Sequence, residues 1–377
     1  MERSLYIHMP FCKSKCLYCD FYSIPYDHRL SREYIEVIIS QIKRLPGRFT
    51  TVYIGGGTPT VLDPELLKSV LKALKPKLAA RSEGEFTVEA NPESLDDRRI
   101  KILLDSGVNR LSIGVQSLRD VKLKKLGRLH NAKKARESVY LAAKRGFSNI
   151  SIDLIFGVWG ERPEDWKREA EEASVLPVKH ISCYSLTYEK GTPLLTAILN
   201  KTIQPIEDDL ASEMYEMAID LLAGGGFRQY EISNFAKRGG YECRHNISYW
   251  ENNHYTGIGA SAVSYISGVR AKNVSSVPEY IKRHKDGVSL IDSNEKLSSV
   301  RRAKETAAIK IRTSDGIDFK WFRDKTGYDL LKLDRDAVTD LLSKDFIRYK
   351  REGARLTGVA LKHRGYLFCD TVSAALL

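Results

Sequence analysis

Cys12, Cys16 and Cys19 fall within eight residues, in the run Phe11-Cys12-Lys13-Ser14-Lys15-Cys16-Leu17-Tyr18-Cys19-Asp20. Thiolates spaced C-x3-C-x2-C can bind three irons of a cubane [4Fe–4S] cluster and leave the fourth iron without a protein ligand. That iron is open to a small molecule, which separates the pattern from a four-cysteine electron-transfer site. Zinc wants a fourth nearby ligand, and Asp20-Phe21 supplies neither Cys nor His. A disulfide leaves one of the three thiols unpaired. The iron–sulfur reading leads, with zinc and a redox disulfide as the alternatives.

Other chemistry-bearing residues recur downstream. Gly55-Gly56-Gly57-Thr58-Pro59 follows an apolar run, and three glycines there let a ligand approach the backbone and its amides. A tight structural turn is the plainer reading. Glu89, Gln116, Arg128, His130 and Asp153 are each equally readable as buried, satisfied polar groups. Their positions at the ends of expected strands make them candidates together.

The elements that must position them are legible as alternating strands and helices over the first ~230 residues. Strands are expected at Leu5–Met9, Val52–Ile54, Phe86–Ala90, Arg110–Gln116, Ile150–Ile155 and His180–Leu186. Asp63-Pro64-Glu65 predicts a helix start with Pro in its first turn. Ser94 followed by Asp97 resembles a capping box. Six such units predict an α/β fold, a partial (β/α)6 barrel over residues 1–230, with chemistry at the C-terminal strand ends. Gly224-Gly225-Gly226 closes a helix before a polar and aromatic connecting segment, 231–296. Residues 297–377 predict short helices and a hairpin, Phe346–Lys350 with Ala354–Leu356 around Glu352-Gly353, a small α+β module resembling a winged helix. Its 17 Lys and Arg against 11 Asp and Glu are too diffuse to predict a specific nucleic-acid partner.

The 377 residues are 42% hydrophobic and 29% charged, ordinary values for a soluble enzyme. No apolar run approaches a membrane span, and Met1-Glu2-Arg3-Ser4-Leu5-Tyr6 lacks a signal-peptide layout. Six cysteines, three of them clustered, suit a reducing cytoplasm. The net charge of +12 is dispersed in mixed-sign runs and reads first as a solvated surface.

The cysteine spacing is similar to that of radical S-adenosylmethionine (SAM) enzymes. There the open iron takes the amino and carboxylate groups of SAM, and an electron from the cluster cleaves the sulfonium to a 5′-deoxyadenosyl radical. The motifs in their order resemble the oxygen-independent coproporphyrinogen III oxidase family across essentially the whole chain. The resemblance implies SAM contacts from Tyr6, Gly56, Gly57, Thr58, Glu89, Gln116, Arg128 and Asp153. Glu89 would face the cationic amino group, Arg128 a carboxylate, and Asp153 a hydroxyl or the sulfonium surroundings. An electron donor to the cluster is implied with them.

That family has a dehydrogenase branch and a heme-chaperone branch. The dehydrogenases resemble one another in a further Cys two residues after the third cluster Cys, where this chain has Phe21, and in an N-terminal extension not expected here. The chaperones resemble one another in His-Asn-x-x-Tyr-Trp, present as His245-Asn246-Ile247-Ser248-Tyr249-Trp250. The resemblance implies a heme chaperone with His245 as axial ligand, Tyr249 and Trp250 against the macrocycle, and Lys237, Arg238 and Arg244 near the propionates. Its expected partners are heme and unidentified acceptor hemoproteins, with peripheral membrane association among the expectations. Oxidative decarboxylation of coproporphyrinogen III is the alternative, and that activity is not expected. Ser261 and Val263 stand where relatives have Gly and His, so Cys243 and His254 are the other ligand candidates. Trp159 stands where relatives have Pro, without explanation in the sequence.

Overall fold

The computed structural model describes residues 3–80 and 84–377; Met1 and Glu2, part of the N-terminal reading above, lie outside them. Six parallel strands follow one another in chain order: β1 (Ser4–Met9), β2 (Thr51–Gly56), β3 (Glu85–Ala90), β4 (Arg110–Gln116), β5 (Ile150–Phe156) and β6 (His180–Ser185). Each expected strand is present; Arg110–Gln116 has the expected bounds, and the ends of the others move by at most two residues. The barrel stays open. Beyond β6 lie the antiparallel β8 (Asn234–Lys237) and β7 (Phe227–Gln229). Beyond β1 lie the parallel β9 (Tyr255–Ile258), then antiparallel β10 (Val263–Ile266), β11 (Val269–Asn273) and β12 (Ile291–Lys296). The segment 231–296 therefore supplies strands on both sides of the six parallel ones in a 12-stranded sheet.

Strict alternation along the parallel strands divides apolar from polar residues. Leu5 and Ile7, Val52 and Ile54, Phe86 and Val88, Leu111 and Ile113, Ile150 and Ile152, and Ile181 are buried among the helices. The intervening Tyr53, Glu89, Arg110, Ser112, Asp153, His180 and Ser182 line an internal cavity. The barrel lumen is thus polar rather than packed with branched apolar side chains, and it has room for a ligand.

The helices α1 (His28–Arg44), α2 (Pro64–Leu74), α3 (Asp97–Asp105), α4 (Asp120–Lys125), α5 (Ala132–Arg145) and α6 (Pro163–Ser174) return the chain between strands, and α7 (Pro193–Leu199) and α8 (Asp208–Gly224) follow β6. Asp63 caps α2 through Glu65 N, with Pro64 in the first turn. The capping box expected at Ser94 is corrected: Asp96 caps α3 through Arg99 N at 2.8 Å. Ser94 is instead tied to Thr60 Oγ1 at 2.7 Å and Asn91 O at 3.0 Å, which leaves it no helix amide to accept from.

Residues 299–377 form a small helical module with an antiparallel three-stranded sheet, Ile317–Asp318, Arg355–Leu361 and Ile347–Glu352 in spatial order. It has its own core around Ile311, Phe322, Val359 and Val372. It docks where the strands begin: Ser314 N donates to Tyr230 O, and Asn252 Nδ2 to Thr306 Oγ1 at 3.0 Å.

Candidate cofactor site in the barrel

The cysteine loop follows β1 and lies over the C-terminal strand ends. Gly57 N donates to Met9 O and Thr58 N to Phe11 O, so the glycine-rich turn is clamped to the start of the cysteine loop. A Cβ at Gly57 would lie within 2.6–2.8 Å of Phe11 and Met9 backbone atoms, so no side chain fits without separating the two loops. Cys12, Cys16 and Cys19 all line the mouth of one cavity of about 430 Å³. Among the described residues no three Cys, His, Asp or Glu side chains converge on a single ion. Three thiolates with neither Cys nor His at Asp20-Phe21 suit a cubane, whose thiolates bind different irons, better than zinc. The donor set fits a three-thiolate cluster with one open iron.

Arg128 joins that loop to the strands. Its Nη1 donates to Cys16 Sγ at 3.1 Å, and its Nη2 to Asn91 Oδ1 at 2.6 Å and Gly114 O at 3.0 Å. Its buried Nε has no hydrogen-bond partner. Asn91 in turn donates to Thr58 Oγ1 at 2.7 Å. Glu89 accepts from Tyr53 OH at 2.7 Å and from Gly56 N at 3.1 Å. Burial pushes the Glu89 carboxyl up to about 7, so a cationic group beside it would favour its ionised form. Asp153 also has its pKa raised by burial, and Gln116 sits at φ +62, the left-handed region, at the end of β4. Gly56, Gly57, Thr58, Glu89, Gln116, Arg128 and Asp153 all border the cavity. Tyr6 does not: its hydroxyl is bonded to His8 Nδ1 at 3.0 Å in the wall between β1 and β2. His130 is structural, bridging Glu93 Oε2 and Val115 O.

The opposite end of the cavity is closed by α9 (Arg244–Trp250), of which Asn246 borders the lumen. His245 lies in the first turn of this helix. Glu85 accepts from the backbone N–H groups of Arg244 and His245, and this fastens the first turn of α9 to the barrel floor. His245 is 1% exposed, with Nδ1 bonded to Thr51 Oγ1 at 2.9 Å and Nε2 to Tyr249 OH at 3.0 Å. Burial lowers its pKa to about 3, so the ring is neutral. Tyr249 packs edge-on against Tyr255, and the Arg312 guanidinium lies 5.5 Å from the Trp250 ring centre, so neither ring is a bare platform. Lys237 lies over Phe227. Cys243 is fully buried, with burial pushing its thiol up to about 12, while His254 is exposed and accepts from Ser267 N. Ser261 adopts φ +65, and Gly257 is so close to the Val263 carbonyl that only glycine fits there. Lys125 lies over the Trp159 ring and donates to its carbonyl oxygen at 2.5 Å.

Sequence reasoning missed Tyr53, Asn91 and Arg110 as cavity residues, although the period-two alternation of each strand marks Tyr53 and Arg110 as facing the polar side. At the mouth Phe21, Leu129 and Tyr184 are apolar or aromatic and 64%, 53% and 41% exposed.

Residues 6–173 match the model of the radical SAM superfamily. The heme chaperone HemW of Lactococcus lactis is 36% identical over 355 residues, covering 94% of this chain and 93% of that protein. HemW of Bacillus subtilis is 37% identical over 382 residues, covering 100% and 99%. Among solved structures, the Escherichia coli coproporphyrinogen III oxidase HemN, a radical SAM enzyme, superposes with a TM-score of 0.85. It is 17% identical, with 100% of this chain and 90% of that one covered, a likeness that bears on the fold.

Proposed function

The chain belongs to the radical SAM superfamily and within it to the family of the HemW heme chaperones, and from that premise we propose that it binds heme and delivers it to acceptor hemoproteins. The single observation that carries the reading is likeness to HemW proteins along the whole chain, with Phe21 where the dehydrogenase resemblance calls for Cys. Cys12, Cys16 and Cys19 hold the [4Fe–4S] cluster. Gly56, Gly57, Thr58, Glu89, Gln116, Arg128 and Asp153 hold SAM, and Tyr6 acts through His8 rather than by contact. When bound, the cluster and SAM supply one-electron chemistry at the mouth. The chain's own part is to orient the methionine end: Glu89 meets the ammonium, Arg128 Nε the carboxylate, and the glycine turn offers amides.

His245 would ligate the heme iron only with α9 released from the barrel floor. Freeing the ring gives up its bonds to Thr51 and Tyr249, each worth roughly 0.5–1.5 kcal/mol. The reading includes an electron donor, a cytoplasmic site of action, and peripheral contact with an anionic membrane face, which the +12 charge supports. Among the described residues no helix is long and apolar enough to cross a membrane. Anaerobic reconstitution followed by heme titration and a coproporphyrinogen III decarboxylation assay separates the readings. Stoichiometric heme binding without decarboxylation supports the chaperone; protoporphyrinogen IX formation with SAM consumption supports the dehydrogenase.

A further inference from the structure

Arg110 begins β4 at the floor of the lumen, six residues before Gln116, which places it about 20 Å from the mouth at ~3.3 Å per residue. Its side chain is 2% exposed and borders the cavity. Among the described residues its guanidinium has no hydrogen bond and no ion pair, and its buried Nε has no partner. Ser112 and Asn246 border the same space, and their side chains also lack a protein hydrogen bond among the described residues. A buried cation is ordinarily paired, since removing it from water is costly. Here Glu85, Glu89 and Asp153 act on Arg110 only from beyond ion-pair distance, while Arg110, Ser112 and Asn246 border one cavity.

The acids nearby do not fill the role. Glu85 is occupied by the amides of Arg244 and His245 and by Cys243 Sγ. Glu89 is held by Tyr53 and Gly56 on the mouth side, and burial raises its pKa and that of Asp153. His180 is hydrogen-bonded to Ser151 and Tyr230, and burial lowers its pKa well below the usual value. Arg110 is therefore the charged group of the floor that lacks a close partner.

We propose that the barrel floor is a binding site for a carboxylate group, with Arg110 as the bidentate partner and Ser112 and Asn246 as flanking donors. A planar, doubly acceptor carboxylate matches the guanidinium fork in a way chloride does not. The site is distinct from the cluster and from the SAM residues at the mouth. Two sources share this chemistry: a small free carboxylate, and the carboxylate end of a longer ligand such as a heme propionate arm.

The test uses the full-length reconstituted protein. Labelled formate, acetate and propionate are titrated by NMR with chloride as control, and heme is compared with its dimethyl ester. Saturable acetate or propionate binding, lost at least tenfold in Arg110→Gln and partly kept in Arg110→Lys, assigns a free carboxylate. A tenfold preference for heme over its diester that vanishes in Arg110→Gln assigns the propionate arm. Should Arg110→Gln fail to fold, Ser112→Ala, expected to weaken the same signal about threefold, replaces it. Equal response to chloride, or no response to any carboxylate and no ester discrimination, overturns the proposal and leaves Arg110 a hydrated cation. Failure of heme to bind at all overturns the chaperone reading alone, because the small-carboxylate titration does not depend on it.

Discussion

Arg128 Nη1 donates to Cys16 Sγ across 3.1 Å, although the two residues are 112 positions apart in the chain. The guanidinium ties a loop over the barrel mouth to Gly114 and Asn91 at the strand ends, so it positions the Cys16 thiol as well as facing the cavity. Arg128→Ala is expected to weaken SAM binding by about 10- to 100-fold, the scale of a lost charged hydrogen bond of ~1.5–3 kcal/mol. It should also reduce cluster retention. Arg128→Lys keeps the charge without the fork and should recover only part of both. Unchanged iron content and SAM affinity in Arg128→Ala would falsify this role.

Replacing Cys12, Cys16 or Cys19 by Ala is expected to abolish the cluster, because each thiolate serves its own iron. Cys183, Cys243 and Cys369 are buried away from the mouth, and their replacement should leave iron content unchanged. Iron and sulfide analysis after anaerobic reconstitution checks both halves. Loss of iron from any of the second group contradicts the assignment.

Glu89 makes both stability and SAM binding depend on pH. Its folded pKa of about 7 is raised above the unfolded value, so its favourable contribution is present at low pH and is lost as pH rises through about 7. The SAM ammonium requires the ionised carboxylate, so SAM affinity runs the other way. It should fall by roughly tenfold per unit below pH 7. Glu89→Gln is expected to flatten both profiles and weaken SAM at pH 8. A wild-type affinity that stays constant from pH 6 to 8 rules this out.

His245 is locked by Thr51 and Tyr249, so weakening the lock should help heme. Thr51→Val and Tyr249→Phe each remove one hydrogen bond of about 1 kcal/mol and are expected to tighten heme binding about fivefold. His245→Ala should abolish the wild-type Soret position and destabilise the fold by ~2–4 kcal/mol, from the cavity and the orphaned partners. A heme spectrum unchanged in His245→Ala removes His245 from the ligand set and turns attention to Cys243 and His254.

Coproporphyrinogen III should not be decarboxylated above background. Phe21 is 64% exposed at the mouth and carries no thiol. Phe21→Cys tests whether that position alone withholds the activity; it is expected not to restore it. Protoporphyrinogen IX from the wild-type protein would reverse the assignment.

The sequence by itself pointed to the cysteine loop, because three cysteines within eight residues need no long-range information to be recognised. It also determined the parallel strands, since short apolar runs bounded by glycine, proline and polar residues are local signals, and β4 runs Arg110–Gln116 as expected. The motif residues at strand ends followed from that periodicity and from family resemblance. What only tertiary structure decided is which polar atoms are already satisfied. His245 reads as a heme-ligand candidate, yet it is a bonded part of the floor, because Thr51 and Glu85 reach it from strands far away in sequence. Tyr6 reads as a SAM contact, yet its hydroxyl is turned to His8. Arg110 reads as the first residue of a strand, and its burial without a partner exists only once six strands surround it. Hydrogen-bond satisfaction and desolvation depend on atoms brought together by folding, so they leave no periodic trace along the chain.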